Sequence, residues 1–356
     1  MCQIGSKVRV NTRPNFGVVR RIAVRPLSLL AVLCSVAFAQ PFAWGSLNPA
    51  WAKPSGTLRL YTSQPDADAQ KTVAAFREVY PEVSVEIFRS GTEEVISRFL
   101  LEAEKGSPQA DVLLVADAPT FELLKSRNLL ESYCSPEAKA IAATYYDPDC
   151  HYFGTKILAT VIVYNTAKAQ PVDSWAALAQ VPEGQLVMPS PTYSGAAAYN
   201  LGVITRTPGL GWEWYEALKK NKTVLVQGNG AVARNVASGE QSYGMVVDFL
   251  AIRSRNEGSP VEVVYPKEGV PVITEPVGIV KGTSNLEAAQ AFVDFLLSQE
   301  GQEVAAEMGY MPLRQDVTPP KGFPALSELK ILSTPAAELA ESREADKARF
   351  AQLFGE

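Results

Sequence analysis

From Gly56 onward, short apolar segments alternate with amphipathic helical stretches, and this order limits the possible folds more than any other feature. Residues 57–62 alternate apolar and polar side chains, as a half-buried strand does. Pro65-Asp66-Ala67-Asp68 follows; then residues 69–80 place Val73, Phe76 and Val79 at helical spacing, and Pro81 ends the helix. Residues 83–88 read as a second strand. Ser90-Gly91-Thr92 is a turn with helix-start chemistry, residues 93–105 a helix with Val95, Ile96, Phe99 and Leu100 on one side, and residues 111–115 an apolar third strand. Parallel strands need crossover connections, so the expectation is an α/β fold with a mostly parallel sheet covered on both faces.

A second series repeats the pattern. Residues 185–188, 223–226, 243–247 and 261–264 read as strands, with helices near 196–205, 212–220 and 231–238. Apolar extended segments at 156–164 and 275–280 can join the two series, and 285–308 reads as helical, returning to the first. The expected organisation is therefore a first lobe of residues 56–159 and 275–356 and a second of residues 160–274. Two crossings form a hinge that opens and closes without unfolding either lobe.

The first 39 residues differ from the rest. They hold Lys7, Arg9, Arg13, Arg20, Arg21 and Arg25 with no acid, then an apolar run over 27–38 and the small-residue site Ala37-Phe38-Ala39. This is the pattern of a secretory signal peptide, cleaved after Ala39 or, alternatively, after Ala52. Without it, 27 Lys and Arg face 38 Asp and Glu, a net charge near −11, which argues against nucleic acid or an anionic membrane as partner. Cys2 and Cys34 fall in this leader. Cys134 and Cys150, 16 apart, are expected to pair as a disulfide in an exported chain. No metal site and no cofactor are expected.

In open α/β sheets, ligands bind beyond the carboxyl ends of the strands. In the first series those ends carry Ser63 and Gln64, then Ser90, Gly91 and Thr92, then Asp117. In the second they carry Ser190, Thr192, Tyr193, Ser194 and Gly195, then Gln227-Gly228-Asn229-Gly230, and last Asp248; Thr160 lies on the first connecting segment. Three of these junctions open helices, whose unpaired N–H groups and partial positive charge favour an anion. Each hydroxyl or amide there can equally be an N-cap. Asp117 and Asp248 end apolar strands, one per series, and each needs a partner when buried. A ligand ammonium bridging them is one solution; a local cap or an ion pair with Arg or Lys is the other. Tyr193 and Phe249 can wall the cleft.

Several segments carry a resemblance: LYTSQPDADAQKTVAAFR (60–77), ADVLLVAD (110–117), FGTKILATVIVYNT (153–166), MPSPTYSGAAAYNLG (188–202), ASGEQSYGMVVDFLAIRS (237–254) and AFVDFLLSQEGQEVAAEMGYMP (291–312). Together they make the chain resemble bacterial periplasmic solute-binding proteins of the iron(III) and 2-aminoethylphosphonate type. The resemblance implies a two-lobed type II periplasmic-binding-protein fold, two doubly wound sheets joined by a two-strand hinge. It also implies a monomeric, periplasmic, non-enzymatic protein that closes on a small solute and delivers it to the permease of an ABC importer. The iron branch grips ferric ion largely through adjacent tyrosines, but the corresponding place here reads Asp248-Phe249-Leu250, and Tyr145-Tyr146 lies between the two cysteines. The PTYSGAAA segment (191–198) resembles the phosphonate and organophosphate branch, which favours an anionic or zwitterionic solute such as 2-aminoethylphosphonate over ferric ion. From other classes, a ligand-sensing module fits the same residues, whereas an exported hydrolase is disfavoured because His151 is the sole histidine.

Overall fold

The computed structural model describes residues 53–355. The leader over residues 1–39, with Cys2 and Cys34, and both alternative cleavage points lie outside the described residues. No described helix is long and apolar enough to cross a membrane.

The first lobe begins as the sequence predicts. β1 (Gly56–Thr62), α1 (Asp66–Val79), β2 (Val83–Arg89), α2 (Thr92–Glu104), β3 (Val112–Leu114) and α3 (Ala118–Ser126) follow in order. β1 pairs in parallel with both β2 and β3. Leu58 and Leu60 face one apolar layer and Tyr61 the other, so both faces of the sheet are covered. Each helix start is built from local chemistry: Pro65 precedes α1, whose first turn holds Asp66 and Asp68, and the Asp117 carboxylate accepts the Thr120 N–H at the start of α3.

The chain then crosses on β4 (Leu158–Asn165) into the second lobe. There it forms α4 (Trp175–Leu178), β5 (Leu186–Pro189), α5 (Gly195–Thr205), α6 (Gly211–Lys220), β6 (Val224–Val226), α7 (Asn229–Ser238), β7 (Tyr243–Val247), α8 (Asp248–Asn256), β8 (Val261–Val264) and β9 (Val270–Ile273). β5 lies parallel to β6 and β7, as expected. β4, however, runs antiparallel to β7, β8 and β9. It enters the sheet from the first lobe, at the end opposite to that from which a helical crossover delivers a strand. The sheet is therefore mixed rather than mostly parallel. The return strand β10 (Val277–Ile279) is likewise antiparallel to its neighbour β3 and closes the first sheet in the order β10-β3-β1-β2.

The stretch 285–308, predicted as one helical region, is two helices: α9 (Leu286–Leu297) and α10 (Gln299–Glu307). Ser298 has extended backbone, and its side chain accepts the Gly301 N–H, so it ends one helix and caps the next. The remaining C-terminal segment, expected in the first lobe, reaches the second as well. β11 (Ile331–Leu332) pairs with β9 of the second sheet, and the last helix, α11 (Ala336–Phe354), sends Phe350 and Phe354 into the second lobe's core. α11 also packs on α3 of the first lobe, so this helix spans both lobes. Between the lobes lies a shared apolar cluster that includes Ala116, Leu158, Val247, Phe249, Ile273 and Tyr310.

Cys134 and Cys150 are bonded to each other. The 16-residue separation closes a loop whose chain entropy corresponds to about 3 kcal/mol. Replacing both cysteines by serine should therefore lower the unfolding free energy in urea by about 3 kcal/mol; unchanged stability would contradict the assignment of a structural bridge.

Asp248 is buried at the start of α8, where Oδ1 accepts the Ala159 and Phe249 N–H groups and Oδ2 the Tyr265 hydroxyl. Burial dominates over these hydrogen bonds and pushes its pKa up to about 7. The folded chain thus keeps a proton that the unfolded chain has released above about pH 4. Its stabilising effect is full at the low end of that window and fades as pH rises towards 7. Asp248→Asn should remove this slope, so the variant should gain on the parent in urea midpoint between about pH 5 and pH 8. A difference that does not change with pH would contradict the raised pKa.

Candidate functional site

A cavity of about 120 Å³ lies where the two lobes meet. The first lobe lines it with Ser63, Pro65, Arg89, Gly91, Thr92 and Ala116, the second with Tyr193, Ser194, Gly195, Ala196, Gly228, Asn229 and Gly230. Val247, Phe249 and Leu250 at the start of α8, with Leu158, Ile273 and Glu275 from the crossing segments, complete the wall.

Among the helices that begin on this cavity, α2 comes from the first lobe and α5 and α7 from the second. α2 and α7 have glycine caps, Gly91 and Gly228, and neither start is capped by a side chain. α5 is capped by Ser194, whose Oγ accepts the Ala197 N–H. A helix start presents backbone donors and a partial positive charge, so three such starts give the cavity the chemistry of an anion site. Asn229 holds two of its walls in register: Nδ2 donates to Ser194 Oγ at 3.3 Å, and Oδ1 accepts the Val247 N–H at 3.1 Å.

The lobes touch at this point. The Glu93 N–H donates to the Tyr193 carbonyl at 3.4 Å. A Cβ at Gly91 would lie 2.6 Å from that carbonyl oxygen, and one at Gly195 would lie 2.7 Å from Asp117 Oδ2 and 2.8 Å from Thr92 Cβ. Glycine is needed at both positions because backbone meets the opposite lobe there.

Of the fourteen residues picked out by sequence, the fold brings Ser63, Gly91, Thr92, Tyr193, Ser194, Gly195 and Asn229 together on the cavity. The other seven stand behind it. Gln64 Nε2 donates to Glu275, and Ser90 pairs with Glu94. Thr160 bonds to Asn200, and Ser190 to Thr192, forming a small hydroxyl turn. Asp117 caps α3 and forms a two-pronged ion pair with Arg343, both contacts at 3.1 Å. Asp248 is turned into its own lobe, as described above. A ligand ammonium bridging Asp117 and Asp248 therefore does not fit: both carboxylates are buried, engaged with protein donors and off the cavity wall.

Sequence reasoning missed two charged wall residues. Arg89 is exposed, ends β2 and donates through Nε to the Gln64 carbonyl at 2.8 Å. Reading that strand one residue shorter set Arg89 aside, although it directly precedes Ser90. Glu275 is buried, adopts a left-handed backbone at φ 41° and pairs with the buried Lys156. It lies in the return crossing, where no strand-end rule applies. It is the only carboxylate on the cavity wall among the described residues.

Residues 59–311 match the family model described as bacterial extracellular solute-binding protein. A Salmonella typhimurium protein named for 2-aminoethylphosphonate binding is 25% identical over 327 residues, 82% of this chain and 87% of the relative. A Serratia marcescens Fe(3+)-binding periplasmic protein is 22% identical over 271 residues, 71% and 77% of the two chains. Among solved structures, the periplasmic binding protein AfuA from Actinobacillus pleuropneumoniae, with fructose-6-phosphate bound, superposes with a TM-score of 0.77 at 24% identity, covering 85% of this chain and 99% of that one. The shared architecture is the two-lobed type II periplasmic-binding-protein fold. With the family model matching well over half of its length, the chain belongs to the bacterial extracellular solute-binding protein family.

Proposed function

We propose that this protein is the periplasmic solute-binding component of an ABC importer, exported behind a cleaved signal peptide, and that it closes on a small anionic or zwitterionic solute of the phosphonate or organophosphate class. The observation that carries this reading is the meeting of the α2, α5 and α7 starts, from both lobes, on one cavity. Tetrahedral phosphorus oxyanions suit such a site, since several backbone N–H groups can each meet a separate oxygen. Arg89 on the wall adds a full positive charge and a forked donor. The charge of Glu275 is already answered by Lys156, so its part on the wall is that of a hydrogen-bond acceptor for a ligand hydroxyl or amine. A relative named for 2-aminoethylphosphonate binding and a fold neighbour solved with a sugar phosphate both favour this ligand class.

Ferric ion is the poorer match. It calls for several anionic oxygens, whereas the described wall offers the Tyr193 phenol and one carboxylate, Glu275, already paired with Lys156. An enzymatic role is not proposed. His151 sits beside the Cys134–Cys150 bridge with Asp147 and the Lys125 ammonium, away from the cavity.

Capture by closure requires contacts from both lobes, because a solute held equally well in the open and closed forms shifts nothing. Closed, the loaded protein would dock on a membrane permease as a monomer. Calorimetric titration should give 1:1 heats with 2-aminoethylphosphonate and with small phosphate monoesters, and none with ferric citrate; the reverse pattern would overturn the ligand class. Arg89→Gln should weaken the phosphonate by about tenfold through loss of a charged donor. Gly195→Ala should weaken it by about tenfold or more, because the added methyl meets Thr92 and Asp117 before the lobes close. Unchanged affinity in both variants would contradict the site.

A further inference from the structure

The C-terminal helix α11 lies between the lobes: it packs on α5 and α6 of the second and on α3 of the first, and its buried cations face first-lobe acids. Its last turn belongs to the second lobe: Phe350 packs edge-on against Tyr215 at 5.8 Å and stacks on Phe354 at 4.4 Å, and Lys219 donates to the Phe354 carbonyl at 2.8 Å. Higher up, Leu339 lies on α5 so closely that a Cβ at Gly202 would stand 2.6 Å from its Cδ2. Arg206, the residue that ends α5, pairs with Asp346 at 2.8 Å. On the facing side, Arg343 is buried and reaches into the first lobe. It binds Asp117, the cap of α3, with both prongs, and Glu93 in the first turn of α2 at 2.6 Å. Lys347 grips the second oxygen of Glu93.

We propose that α11 is an interlobe clamp, and that Arg343, assisted by Lys347, is a positioning residue that holds the α2 start on the cavity in the closed form. Two acids of the first lobe are matched to two cations of a helix whose last turn is seated in the second. The start of α2, with Gly91 and Thr92, is thus held against the α5 start by charges that never touch the cavity. Opening the lobes while Phe350 stays seated must part Arg343 from Asp117 and Glu93, or drag α11 off α5. A buried ion separated from its partners is costly until water reaches it. The clamp therefore biases the ligand-free protein towards closure, and it sets affinity through the population of the competent state rather than through contact with solute. The proposal rests on lobe closure and not on the identity of the solute.

The test places spin labels on Glu86→Cys in the first lobe and Lys220→Cys in the second, with the native disulfide intact, and measures the interlobe distance distribution without ligand. Both sites are exposed. Arg343→Gln and Lys347→Gln should each move the distribution to longer distances, and Arg343→Lys should restore part of the short-distance population. The dissociation constant for 2-aminoethylphosphonate should rise about tenfold in Arg343→Gln. Lys347 is the more exposed of the pair, so Lys347→Gln keeps the test open should Arg343→Gln not fold. A lower melting temperature with an unchanged distance distribution would overturn the clamp and leave Arg343 a structural ion pair only. Because the distance arm uses no solute, failure of the phosphonate reading would leave the clamp standing.

Discussion

The constraint on which this molecule depends is the close approach of bare backbone to the opposite lobe. Gly91 lies against the Tyr193 carbonyl, and Gly195 lies against Thr92 and Asp117. Only with no side chain at these two places can the starts of α2 and α5 come near enough to face one small volume. The helix partial charges fade beyond the terminal turn, so an added methyl group on either side would remove more than space. It would move the backbone donors of α2 and α5 apart.

Charge is arranged in tiers around that contact. On the wall stand Arg89 and Glu275, of opposite sign, beside the starts of α2, α5 and α7. On the wall and behind it, each of these buried carboxylates has protein partners: Glu275 with Lys156 and Gln64, Asp117 with Arg343 and the α3 start, Asp248 with three donors of its own lobe. Burying an unpaired charge costs too much to be tolerated, so these pairings hold the backbone around the cavity rather than waiting for a ligand. Asp68 works similarly: Arg253 of α8 binds its carboxylate across the lobes, and the Tyr310 hydroxyl binds it as well.

Much of this was legible in the sequence because local patterns set it. The alternation over Leu58, Leu60 and Tyr61, the helix stop at Pro81 and the small polar residues after each strand gave the elements and half of the wall. What sequence could not give were pairings between distant residues. Arg343 lies 226 positions from Asp117, and Lys156 lies far from Glu275; nothing local marks either as a partner. The antiparallel direction of β4 follows from where the chain enters the second sheet, a property of the path and not of the strand's own residues. The reach of α11 into the second lobe was hidden for the same reason, since only burial against Tyr215 reveals what Phe350 is for.

The central claim is that backbone donors from both lobes take hold of one anion. Amide proton and nitrogen shifts in a 15N-labelled sample titrated with 2-aminoethylphosphonate read those donors one by one. The account expects Thr92 of the first lobe and Gly195, Gly228 and Asn229 of the second to shift downfield together with a single binding isotherm. Shifts confined to one lobe, or to residues away from the α2, α5 and α7 starts, would contradict it.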